Sequence, residues 1–259
     1  MTQSERRRFL INKLLDERHD LRDLVVPSSA DDQSRLLRSL MNVRMPMAID
    51  DEFLKVQDEY LEEELSRTGV KKLSDLTPVN GDLYLWQGDI TKLACGAIVN
   101  AANSGMTGCY IPCHACIDNC IHSFSGIQLR LECDALMQKQ GYPEPTGQAK
   151  ITRAYNLPCD YVLHTVGPIV EDSVRPEDER LLASCYRSCL ELADENGISS
   201  IAFCCISTGV FHFPNQRAAE IAVATVREYK SETNSRIKVI FNVFKDIDRE
   251  IYERLLCAD

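Results

Sequence analysis

The sequence predicts a three-layer α/β domain preceded by a helical extension, and three observations carry that expectation. From Leu83 onward, short apolar segments alternate with longer helical ones, the order that places helices on both faces of a sheet. The apolar segments are hydrophobic almost throughout, as strands buried on both faces are. Over roughly the first 75 residues, apolar positions instead recur three and four apart, as on one face of a helix. The expected division is a helical extension over residues 1–75 and an α/β unit over residues 76–259.

In the extension, FLINKLLDE and RLLRSLMNV each present a helical stripe, and PSSADD separates them with turn chemistry. DDEFLKVQDEYLEEELSR continues the pattern with acidic residues at its start, where the helix dipole favours them. The strands follow as LYLWQGDI, GAIVNAAN, YVLHTVG, SIAFCCIS and KVIFNVF, rich in Val, Ile, Leu and aromatics. Between them, IDNCIHSFSGIQLRLECDALMQKQG, DERLLASCYRSCLELADENG and PNQRAAEIAVATVREYKSE read as three helices. Pro214 stands at the start of the last, and Gly197 caps the end of the second. In such a sheet ligands bind beyond the carboxyl ends of strands, so the loops after strands are the candidate sites.

Composition narrows the functional classes. At 44% hydrophobic and 26% charged, the 259 residues suffice for a core of ordinary size. No apolar run approaches the roughly 20 residues that span a bilayer. The N-terminus has a basic start without a long apolar stretch or a small-residue cleavage site, so a cytoplasmic protein with no membrane partner is expected. A net charge of −10, with no basic stripe, argues against nucleic acid as a partner. A small anion held by backbone amides stays compatible with an acidic chain. Outside an exported protein, twelve cysteines point to thiols and metal ligands rather than disulfides. Cys133, Cys159, Cys185, Cys189, Cys204 and Cys205 lie in apolar segments, where free cysteine behaves as a small buried hydrophobe.

Three loops after strands stand out. In WQGDIT, Asp89 is either a turn residue or a hydrogen-bond acceptor for a ligand. In IVNAANSG, Asn100 and Asn103 flank two small residues at a strand end, and either can cap a turn or grip sugar hydroxyls. ISTGVFHFPN carries small residues and free N–H groups toward a helix start, which suits a pyrophosphate.

Between Gly108 and His122 the chain reads GCYIPCHACIDNCIH. Zinc takes thiolate and imidazole ligands, and a catalytic site keeps three protein ligands with an open fourth position. The stretch admits such a set, a closed structural zinc that recruits Cys113 or Cys120, or no metal and a group of thiols. Asp118 reads either as a helix N-cap or as a group acting on water. His122, four residues on, shares its helical face with Asp118 or simply packs. His164 and His212 are single signals of the same kind.

Taken in order, GDITKLACGAIVNAAN, IDNCIH, GQAKITRAYNLPCDYVLHTVGPI, CISTGVFHFP and VIFNVFKDIDREIY resemble the macrodomain family over about residues 80 to 257. The resemblance implies a three-layer αβα fold with a mixed central sheet that binds ADP-ribose, and several relatives hydrolyse it from proteins. By that resemblance Asp89 and Ile90 contact adenine and Phe244 stacks on it. Asn103 faces the distal ribose, and Ser207, Thr208, Gly209, Val210 and Phe211 wrap the diphosphate.

In one respect the chain departs from the common pattern, because GCYIPCHAC replaces a glycine-rich run. That departure, together with the helical extension, is similar to the zinc-dependent macrodomain subclass with its Cys-x4-His-x-Cys pattern. Cys109, His114 and Cys116 fill the pattern, and Zn2+ is the implied cofactor. Relatives of this kind often occur beside a sirtuin-type ADP-ribosyltransferase and reverse its modification, with an Asp or Glu ester as the favoured bond. The resemblance therefore implies a zinc-dependent protein-ADP-ribose hydrolase, with Asn103 and Asp118 as its catalytic side chains. A non-catalytic ADP-ribose reader with structural zinc, or an O-acetyl-ADP-ribose deacetylase, would use the same pocket.

Overall fold

A computed structural model describes residues 1–21 and 24–257. Residues 22, 23, 258 and 259, which fall within the two expected divisions, lie outside the described residues. Three helices open the chain: α1 (Gln3–Asp16), α2 (Ala30–Val43) and α3 (Asp51–Thr68). Each begins on a capping side chain that accepts an otherwise orphaned N–H, from Thr2, Ser29 and Asp50 respectively. Their apolar stripes close on one another through Leu10, Ile11, Leu37, Phe53 and Val56. Ile127, from the α/β part, completes that cluster.

The remaining elements are β1 (Lys71–Lys72), β2 (Pro78–Asn80), β3 (Leu83–Gln87), β4 (Leu93–Ala94), β5 (Ala97–Ala101), α4 (Ile117–Ser125), α5 (Ile127–Gln140), β6 (Ala149–Arg153), β7 (Tyr161–Thr165), α6 (Pro176–Glu195), β8 (Ser200–Phe203), α7 (Asn215–Thr233), β9 (Lys238–Val243) and α8 (Asp246–Cys257). Seven strands form one sheet in the order β2-β3-β9-β8-β5-β7-β6. The five central strands run parallel, and the edge strands β2 and β6 pair antiparallel, so the sheet is mixed. Helices α4 and α5 pack on one another and on β5 and β6; α6, α7 and α8 pack in series and on the strands from the other side. Ile98, Val99, Leu163, Ile201 and Phe241 in the central strands have almost no exposed surface.

All five strands expected from sequence are present, each ending between one and four residues earlier than expected as the chain turns into the following loop. The helix expected over IDNCIHSFSGIQLRLECDALMQKQG is in fact two, α4 and α5, broken at Gly126. That glycine sits at φ 95°, ψ 170°, a conformation open almost only to glycine, and the freed Ile127 N–H donates to Gln57 of α3 at 2.9 Å. The short strands β1, β2 and β4, the edge strand β6 and helix α8 extend the expected set. Pairing of Lys71–Lys72 with Leu93–Ala94 begins shortly before residue 76. Cys133, Cys159, Cys185, Cys189 and Cys204 are buried and Cys205 half-buried, and all twelve cysteines are free thiols.

Candidate active site

The carboxyl ends of β3, β5, β8 and β9 open onto a cavity of about 630 Å³. At one end stand Asp89 and Ile90 after β3, with Phe244 after β9. Asp89 caps the turn that follows, one carboxylate oxygen accepting from the Thr91 amide at 3.1 Å and its hydroxyl at 2.6 Å. Turn residue and cavity wall are thus one and the same. Ile90 is buried, whereas Phe244 is 75% exposed, a large apolar ring kept in solvent at a cavity rim.

The loop after β8 forms the second wall through Ser207, Thr208, Gly209, Val210 and Phe211. Ser207 takes a left-handed backbone at φ 64°, and the Phe213 and His212 amides fold back on Ser207 and Gly209. Among the described residues, the amides of Gly209, Val210 and Phe211 meet no acceptor, which leaves consecutive N–H groups free for an anion. The Ser207 hydroxyl is buried without a partner. His212, at φ 58°, is exposed and is not part of the cavity wall.

The third wall is the cysteine–histidine loop, through Cys113, His114, Ala115, Cys116 and Cys120. The donor atoms of Cys109, His114 and Cys116 all lie within 4.8 Å of one another, with Cys109 Sγ 3.7 Å from His114 Nδ1. Cys116 is the N-cap of α4, its sulfur accepting from the Asn119 amide at 3.4 Å. Capping therefore falls to Cys116 and not to Asp118, which lies in the first turn. Burial pushes the Cys116 thiol up to about 12, against the opposing Asn119 amide, and the Cys109 sulfur adds to the rise. Two thiols in contact resist ionising, and a dication among them reverses that balance. Tetrahedral zinc with bonds of about 2.0–2.3 Å spaces its donors roughly 3.5 Å apart, so the three side chains fit that ion. Cys113 turns away, its sulfur 3.2 Å from Ser39 Oγ.

Behind this wall lies Asp118, only 5% exposed. Its carboxylate accepts from Asn100 Nδ2 at 2.8 Å and from Asn103 Nδ2 at 3.2 Å. Burial lifts Asp118 to about 6, opposed by the Asn100 amide, the Arg130 charge and the Asn103 amide. Asn103 also donates to Gly108 O and accepts from the Gly105 amide, which ties down the loop after β5. His122 does share the face of Asp118, Nε2 standing 3.6 Å from its carboxylate. Its ring packs against Gly108, where a Cβ would come within 2.7 Å. His164 is fully buried on β7 between Asn100, Thr152 and Cys133, far from any open surface.

The Macro domain family matches residues 99–222. A protein of Treponema medium named protein-ADP-ribose hydrolase is 59% identical over 99% of this chain and all of its own length. The chain belongs to the macrodomain family. A protein-ADP-ribose hydrolase of Staphylococcus aureus strain MSSA476 is 51% identical, over 97% of this macrodomain and 95% of that relative. Among solved structures, the Trypanosoma brucei macrodomain in complex with ADP-ribose superposes with a TM-score of 0.66 at 31% identity, covering 85% of this chain and 94% of that one.

In this macrodomain, Asp89, Ile90, His114, Cys116, Ser207–Phe211 and Phe244 line one cavity, while Asn103, Cys109 and Asp118 stand next to it rather than in its wall. Sequence reasoning missed Arg38, Asn119 and Arg130. Arg38 lines the cavity from α2. Asn119 donates to the carbonyls of Cys109 and Ile111. Arg130, buried in α5, donates to Thr107 O and to the carbonyls of Met41, Asn42 and Arg44. Asn100 had a signal, since it is the first asparagine of IVNAAN; a lone Arg in a helix had none.

Proposed function

We propose that this macrodomain is a protein-ADP-ribose hydrolase, that it cleaves ADP-ribosyl esters of Asp or Glu, and that Cys109, His114 and Cys116 hold a zinc ion. What carries the reading is one juxtaposition: three thiol and imidazole donors within 4.8 Å of one another stand at the cavity walled by Asp89 and the Ser207–Phe211 loop. Full-length likeness to relatives named for the same activity supports it.

Free amides at Gly209–Phe211 would receive the diphosphate, and the ring of Phe244 would cover the adenine above Ile90. Asp89, with one oxygen committed to Thr91, offers the other to the exocyclic amine of adenine. Asn103 would face the distal ribose, and Asp118, held by two amides, would orient the attacking water or take its proton. Water adds to the ester, and ADP-ribose leaves from the side-chain carboxylate. A zinc held by Cys109, His114 and Cys116 would supply a Lewis acid able to lower the pKa of a water toward about 7. The natural source of such esters would be a sirtuin-type ADP-ribosyltransferase in the same cytoplasm.

Release of ADP-ribose from a protein modified at Asp or Glu, measured with and without a chelator and after zinc is restored, tests the reading. Turnover that a chelator abolishes and zinc restores is expected. Turnover indifferent to thorough metal removal would sink the zinc, and no turnover at all would leave a binding module.

A further inference from the structure

We infer that Arg38, on the helical extension, is a positioning residue for the cysteine–histidine set, acting on His114 directly and on Cys109 through the Asn119 side chain. The inference rests on the zinc reading above and concerns what shapes the loop before a metal arrives.

Arg38 lies mid-way along α2, and its Nη2 donates to the His114 carbonyl at 2.9 Å and to Asn119 Oδ1 at 2.8 Å. It also reaches Cys120 Sγ at 3.5 Å. The Asn119 side chain, oriented by that bond, donates to the Cys109 carbonyl at 3.2 Å and to the Ile111 carbonyl at 2.9 Å. The Asn119 amide in turn meets Cys116 Sγ at 3.4 Å. Arg38 and Asn119 together thus touch the backbone of Cys109, the backbone of His114 and the sulfur of Cys116.

Packing alone does not account for the arginine. Its Nε is buried with no partner, a desolvation cost that an apolar side chain would avoid. Its guanidinium lies 5.4 Å over the Phe124 ring of α4, which fixes the plane of the fork. Arg38 also stands in the walls of both the 630 Å³ cavity and a second, 510 Å³ cavity between α2, α3 and the sheet domain. Asn42 and Ser39, on the same helix, hold Cys113 by its amide and its sulfur, so that the loop's spare cysteine is turned away from the set. Loss of a group that orients metal ligands typically weakens metal affinity roughly 10–100-fold.

The test measures zinc affinity of the full chain by competition with a chromophoric chelator, beside far-UV circular dichroism, for wild type, Arg38→Gln, Arg38→Lys and Arg6→Gln. Arg6 pairs with Glu59 and Glu63 on the far side of the extension and serves as the control for general loosening. Arg38→Gln is expected to weaken zinc roughly 10–100-fold, Arg38→Lys to recover part of that loss, and Arg6→Gln to leave affinity unchanged. Should Arg38→Gln fail to fold, Arg38→Lys alone carries the comparison, and wild-type affinity in it overturns the inference. Unchanged affinity in a folded Arg38→Gln, or equal weakening in Arg6→Gln, also overturns it while the zinc reading stands. A wild-type chain that takes no zinc overturns both.

Discussion

Asn103 and Asp118 meet through a 3.2 Å hydrogen bond from the amide of one to the carboxylate of the other. The bond joins the loop after β5 to the first turn of α4, the two segments that flank the cysteine–histidine loop. Asn103→Ala removes the proposed ribose contact and one of two donors that hold Asp118. Turnover of a modified protein should fall by about 100-fold or more, since misplacing a reacting group by an ångström costs about that much. ADP-ribose binding, measured by calorimetry, should fall far less. Equal losses in both would show that Asn103 serves binding only.

Metal content gives a second prediction. Elemental analysis should find about one zinc per chain after supplementation, under the three-ligand rule. Cys116→Ala should lose most of it, whereas Cys113→Ala, whose sulfur is turned toward Ser39, should keep it. Retention by Cys116→Ala would remove the metal from this loop.

Phe244 is an exposed ring at the cavity rim. Phe244→Ala should leave the melting temperature within a degree or two of wild type but weaken ADP-ribose by about 1–3 kcal/mol, the worth of one base stacked on an aromatic. Calorimetry checks it, and undiminished affinity would place adenine elsewhere.

Acid should unfold the protein through His164. Burial holds this histidine down to about 3, against 6.5 when exposed, so the unfolded chain binds a proton that the folded one refuses. Stability present above pH 6.5 is lost as pH falls toward 3, at up to about 1.4 kcal/mol per pH unit. Buried His122 acts in the same direction. Asp118, raised by burial from 3.8 to about 6, acts oppositely between those values and offsets one histidine. Urea unfolding at pH 7.5 and 5.0 reads the difference; equal midpoints would contradict it.

Gly126→Ala should destabilise the fold by about 1–3 kcal/mol through backbone strain, and more through steric overlap, because a Cβ there would stand 2.6 Å from Gln57 and Gln128. Thermal unfolding checks the loss. A neutral result would mean that the break between α4 and α5 can be moved.

Much of this was legible in the sequence, for physical reasons. Strands buried on both faces announce themselves by composition, so β3, β5, β7, β8 and β9 were visible, and so were the loops after β3, β5 and β8 that line the cavity. Edge strand β6 was not read as a strand, because AKITR, partly exposed, lacks the continuous apolar run. Ligand types at metal spacing are local, so Cys109, His114 and Cys116 were visible on one loop. Arg38, 71 or more residues before that loop in the chain, and Arg130 act through long-range bonds to carbonyls, which leave no pattern in their own neighbourhoods. Gly126 lay inside a run whose helical periodicity outweighed one glycine; only its contact with Gln57 decides the break.

Arg130 ties the extension to the candidate site. Its guanidinium stacks 4.4 Å over Tyr110 while the same side chain grips the end of α2 and the carbonyl of Thr107. One cation is therefore a rivet through three pieces: extension, asparagine loop and cysteine loop. Cut the chain at the start of the sheet, and the rivet loses three of its four carbonyls together with the α2 end that covers it, loosening the loops that would hold the ligand. Engineers seeking a minimal ADP-ribose receptor from this sequence should keep the extension.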